Sequence, residues 1–121
     1  MKNIVVLVSG GGTNLQALID AEKSGEIIGG KITCVISSNS EAYALERAKN
    51  NGISTRVIPR KDYSDSKSYS MAVLNALDEE QADLVVLAGF MTILDECVTS
   101  KYAYKIINVH PALIPSFCGK G

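Results

Sequence analysis

The sequence predicts an α/β fold: a doubly wound, mostly parallel sheet with flanking helices. Two patterns lead there. Short β-branched runs alternate with longer segments of helical period, the signature of stacked βα units. Several of those runs are apolar throughout, as strands covered on both faces require. The length of 121 residues suits one domain of ordinary size.

Each element follows in order. Asn3–Val8 opens the chain as a strand, with Ile4-Val5-Val6-Leu7-Val8 continuously apolar. Leu15, Leu18 and Ile19 recur at i, i+3 and i+4 and mark the first helix. Ile32–Ser37 is the second strand. Leu45 and Ala48 give a second helical stripe, closed by Asn51-Gly52. Ser54–Ile58 is the third strand, and the polar stretch Asp62–Ser66 is a loop feeding a third helix. In that helix Val73, Leu74 and Leu77 repeat the stripe. Leu84–Ala88 and Lys105–Val109 complete the strands. No repeat or linker interrupts the series, and the arrangement expected is Rossmann-like.

Composition narrows the function classes. Lys and Arg number 12 against 13 Asp and Glu, a formal charge of −1, which leaves no basic footprint for nucleic acid or an anionic membrane. With no Trp and 6% aromatics, a base-stacking surface is disfavoured as well. Hydrophobic residues at 46% suffice for a packed core. The early apolar run is too short for a membrane span or a usual signal-peptide core. Cys34, Cys97 and Cys118 are odd in number, widely spaced and free of any C-x-x-C, which argues against a disulfide framework or a zinc site. No metal is expected, and a reducing cytoplasm is the simplest location.

In doubly wound sheets ligands bind beyond the carboxyl ends of the strands. Three segments fall there. Ser9-Gly10-Gly11-Gly12-Thr13-Asn14 joins the first strand to the first helix, where glycines let the backbone approach a ligand and the helix start offers N–H groups to an anion. A plain cap by Thr13 or Asn14 is the competing reading, but three glycines exceed what a cap needs. The run is neither G-x-G-x-x-G nor a P-loop, so a dinucleotide or ATP loses its main support. Gly12 is taken as the point of backbone approach, so a Val there is expected to cost affinity while the fold survives. Ala88-Gly89-Phe90-Met91-Thr92-Ile93-Leu94 follows the fourth strand; taken alone, its apolar residues read as core. Ile107-Asn108-Val109-His110-Pro111 ends the fifth strand. There Asn108 and His110, two residues apart, share one face. An amide donor beside a group that carries a proton near neutral pH suits acyl-type transfer, and the alternative is a structural histidine.

These segments, in this order, resemble the phosphoribosylglycinamide formyltransferases of purine synthesis (GAR transformylases). The resemblance runs from Met1 to Gly121 and is carried by Ile4 to Ala17, by Val86-Leu87-Ala88-Gly89-Phe90-Met91, and by Asn108-Val109-His110-Pro111 leading to Leu113-Ile114-Pro115. It implies a formyltransferase-type fold. It further implies attack of the amine of phosphoribosylglycinamide on the formyl carbon of 10-formyltetrahydrofolate, the co-substrate. Residue by residue, Gly12, Thr13 and Asn14 hold the phosphoribosyl group. Met91, Thr92, Ile93 and Leu94 line the folate pocket, with Lys67 a secondary candidate at a position often Arg. Asn108 polarises the formyl oxygen and His110 is the catalytic acid. Ala112 and Thr92 depart from residues common in the family, Ser and Arg.

The resemblance also implies a further folate loop and an Asp partner for His110, which no residue here supplies. The chain is therefore expected to be a single N-terminal portion, truncated at the C-terminus, inactive alone and prone to self-association. The expected partners are the two small molecules, with no nucleic acid and no membrane, and with a homo-oligomer allowed. Two other readings remain open: a different folate formyltransferase or formyl-folate hydrolase, and a non-catalytic domain that binds a phosphate ligand.

Overall fold

The computed structural model describes residues 2–25, 29–90, 94–102 and 105–109. Strands β1 (Lys2–Val8), β2 (Gly30–Ser37), β3 (Ser54–Val57), β4 (Leu84–Ala88) and β5 (Ile106–Val109) alternate with helices α1 (Thr13–Lys23), α2 (Tyr43–Asn50), α3 (Ser66–Glu79) and α4 (Glu96–Lys101). Among the described residues the strands form one sheet of order β3-β2-β1-β4-β5, with every pairing parallel. Parallel neighbours need a crossover, and each helix supplies one. The chain moves outward from β1 to β3, then returns through α3 to the other flank of β1.

Side-chain alternation in β1 divides the core. Ile4, Val6 and Val8 pack with Leu15 and Ile19 of α1 and with Ala44 and Ala48 of α2. Val5 and Leu7 face the opposite way, against Tyr69, Val73 and Leu77 of α3 and Val98 of α4. Both faces of β1 are thus covered, which explains its unbroken apolar run.

The strands match the sequence expectation to within two residues. Ile58 and Lys105 fall just outside β3 and β5, yet the ladder continues through them, with Ile58 N donating to Ser37 O at 2.9 Å and Val85 N to Lys105 O at 2.7 Å. The polar stretch from Asp62 is a 3-10 turn (Arg60–Asp62) and a short loop. Asp65 then caps α3, accepting from Ser68 N at 2.7 Å. Helix α4 is not foreseen in the sequence: it has six residues and buries only Val98, so no stripe announces it. Phe90 and Leu94 are partly buried against the α3 face of the core, as the core reading of that segment expects.

Candidate functional site: a crevice between the loops after β1 and β4

The strand order reverses at β1, so the loops leaving β1 and β4 diverge and open a crevice at the carboxyl end of the sheet. A cavity of about 120 Å³ lies there, lined by Gly10 to Asn14 of the first loop and by Ala88 and Gly89 of the second. Sites for whole drug-sized ligands span roughly 300–1,000 Å³. The space between the described residues therefore accommodates one compact group, such as a phosphate.

The glycine run closes directly onto α1. Gly12 is the N-cap, with φ +82 and no side-chain cap bond. This corrects the capping alternative: neither Thr13 nor Asn14 caps, because both already lie inside the helix. The first helical bond is Gln16 N to Gly12 O at 2.8 Å, so the N–H groups from Gly12 to Leu15 precede it. The first turn of α1 carries no acidic residue, leaving nothing to oppose the positive end of the helix dipole. Among the described lining residues no side chain ionises, so what they offer an anion is backbone amides and the helix dipole.

The three glycines differ in purpose. A Cβ on Gly10 or Gly11 would meet nothing within 4 Å, whereas one on Gly12 would stand 2.7 Å from Ala44 Cα. Gly12 is thus required by the left-handed backbone and by contact with α2, and a side chain there disturbs the fold first. The sequence expectation that a Val at this position leaves the fold intact is corrected accordingly. Gly10 and Gly11, exposed on the loop, are the positions with open space before them. The neighbouring strand ends are tied as well, Ser9 Oγ to Ser38 Oγ at 2.7 Å and Ser38 N to Val8 O at 3.0 Å.

Gly12, Thr13 and Asn14 line the cavity together, and the Asn14 amide lies against Gly89, 3.8 Å from where a Cβ on that glycine would stand. Leu94 packs on the core, and the next residue is anchored to α3 by Asp95 N donating to Ser70 Oγ at 2.8 Å. Lys67 is exposed on the first turn of α3 and is not among the cavity's lining residues. Asn108 enters through its backbone alone, paired with Leu87 one residue before Ala88. That register sets the end of β5 beside the β4 side of the crevice. Met91, Thr92, Ile93 and His110 lie outside the described residues.

Gly10 and Gly11 line the cavity as part of the glycine run that the sequence reading turns toward an anion, whereas Ala88 and Gly89 are lining residues that sequence reasoning does not single out as binding positions. Among the described residues, no group of His, Cys, Asp or Glu is placed to hold a metal ion, and no helix is long and apolar enough to cross a membrane. Cys34 is buried in the sheet, and burial, reinforced by the charge of Glu80, pushes its thiol up to about 12. It is no nucleophile at neutral pH.

The family model described as formyl transferase matches residues 2–121. The phosphoribosylglycinamide formyltransferase of Haemophilus influenzae is 47% identical over 119 residues, covering 98% of this chain and 56% of that protein. The Escherichia coli protein of the same name is 42% identical over 117 residues, covering 97% of this chain and 55% of its own length. The chain therefore spans about half the length of the curated relatives it matches. The crystal structure of glycinamide ribonucleotide transformylase 1 from Symbiobacterium toebii superposes with a TM-score of 0.86 at 37% identity, covering 97% of this chain and 55% of that one.

Proposed function

This chain belongs to the formyl transferase family, and on that premise we propose that it serves to transfer a formyl group from 10-formyltetrahydrofolate to the amine of phosphoribosylglycinamide, a step of purine synthesis. The observation that carries the reading is the cavity between the β1 and β4 loops, large enough for one phosphate and lined by the glycine run that opens α1. The glycine loop takes the phosphate, with Gly12, Thr13 and Asn14 as the substrate-binding residues. The other relevant residues follow the family resemblance. Met91, Thr92, Ile93 and Leu94 form the folate wall, with Lys67 at its rim.

Chemically, the amine nitrogen bonds to the formyl carbon and the bond from that carbon to the folate nitrogen breaks. Asn108 donates to the carbonyl oxygen as it becomes an oxyanion, and preorganised donation of this kind is commonly the largest catalytic term. His110 supplies the proton that the departing folate nitrogen takes up, and the proton that the attacking amine gives up restores it, so one proton moves in net from amine to folate. A glycine-rich phosphate cradle favours this reading over a formyl-folate hydrolase, whose reaction with water involves no phosphoribosyl group.

The test uses the protein at its natural length. Calorimetric titration should show phosphoribosylglycinamide binding far more tightly than its dephosphorylated riboside, and formyl transfer should be measurable with 10-formyltetrahydrofolate. Equal affinity for the two ligands would overturn the phosphate assignment. Binding without any formyl transfer would favour the non-catalytic reading.

A further inference from the structure

Outside the cavity, one side chain touches both the glycine loop and the helix that follows it. Arg47, half-buried on α2, donates from Nε to Gly11 O at 2.9 Å and from Nη1 to Gln16 Oε1 at 3.2 Å. Its guanidinium lies over the Tyr43 ring, 5.0 Å from the centroid, a further contact that holds it on α2. One turn earlier on α2, Ala44 N donates to Gly10 O at 3.1 Å. Helix α2 therefore holds two consecutive carbonyls of the loop on one side.

A trans peptide is flat, with its C=O and the following N–H pointing in opposite directions. Holding the Gly10 carbonyl toward α2 aims the Gly11 N–H away from α2, and holding the Gly11 carbonyl does the same for the Gly12 N–H. With the Gly12 carbonyl engaged by Gln16 N inside α1, the Thr13 N–H points out of the start of that helix. Glycines lack the side-chain sterics to hold such a run by themselves, so an external brace is required. A cation on the Gly11 carbonyl also polarises that peptide and strengthens its N–H as a donor.

We propose that Arg47 is a positioning residue that aims the glycine-loop amides at the substrate phosphate; this rests on the phosphoribosyl reading of the cavity. The role belongs to a fork and not only to a charge. A single ammonium cannot span Gly11 and Gln16 in the same planar geometry, so Lys is an inadequate substitute.

The experiment compares Arg47→Lys and Arg47→Gln with the unsubstituted natural-length protein in steady-state formyl transfer, using phosphoribosylglycinamide and its dephosphorylated riboside. Both variants should raise KM for the phosphorylated substrate about tenfold, the scale of one lost charged hydrogen bond. Their kcat should stay within about twofold, the pattern of lost uniform binding. KM for the riboside and for 10-formyltetrahydrofolate should not move. Equal losses for both glycinamide substrates, a fall in kcat at constant KM, or full function in Arg47→Lys would each overturn the inference. The two readings fail separately. If the unsubstituted protein does not prefer the phosphorylated substrate, the phosphate assignment falls. If it does and both variants keep the preference, only the role of Arg47 falls.

Discussion

Gly12 and Ala44 meet so closely that a Cβ on the glycine would lie 2.7 Å from both the Cα and the Cβ of the alanine. The start of α1 and the first turn of α2 are thereby joined with no side chain larger than the Ala44 methyl between glycine and alanine. The loop that forms the crevice is thus built as part of the helix packing.

Gly12→Ala should destabilise the protein by about 2–4 kcal/mol, combining a left-handed backbone position with overpacking against α2. Urea unfolding followed by circular dichroism measures it. A variant as stable as the original would show that α2 yields easily at Ala44.

Gly11→Ala tests the opposite case. Its Cβ enters open space, so the unfolding midpoint should hardly change. Affinity for phosphoribosylglycinamide should fall about tenfold as the methyl group blocks close approach to the amides. Titration calorimetry on the folded variant reads this directly, and unchanged affinity would remove Gly11 from the binding surface.

In the natural-length protein, Asn108→Ala should lower kcat about 10²–10³-fold with little effect on substrate binding, the usual cost of one oxyanion donor. His110→Ala should be at least as damaging if that residue carries the proton as proposed. Near-normal turnover in either would withdraw that residue from the mechanism.

Stability should decline in alkali. Burial, with Glu80 beside it, raises the Cys34 thiol from 9.0 to about 12. Burial, with Tyr63 next, raises the Tyr69 phenol from 10.0 to about 12, and burial with the bond to Asp78 does the same for Tyr102. Each is neutral in the fold at pH values where the unfolded chain ionises. The stabilisation is therefore full below the ordinary values and is lost as pH rises through the window from about 9 to 12. Urea midpoints should fall across that window, and Tyr69→Phe should make the fall shallower. A flat profile would contradict this burial.

Strands were legible in the sequence because burial on both faces leaves runs such as Leu84-Val85-Val86-Leu87-Ala88 with no polar interruption. Helices α1 and α3 were legible through their periodic stripes. The strand order was not, since pairing β1 with β4 is a property of the whole chain. The purpose of Gly12 and the reach of Arg47 were hidden for the same reason. Each depends on where α2 comes to rest, and in sequence Arg47 is one more charge on a helix surface.

The central position of β1 also governs the order in which the chain can be completed during synthesis. Its partner on one side, β2, is made soon afterwards, but its partner on the other, β4, arrives late; the Asn3 N–H waits for the Asp83 carboxylate, 80 residues downstream. Until then β1 is a bare margin with unpaired backbone and apolar neighbours, the kind of surface that recruits other nascent chains. The crevice does not exist in that interval, because one of its two walls has not been translated. Any ligand of the crevice can therefore favour only chains that have already closed this margin.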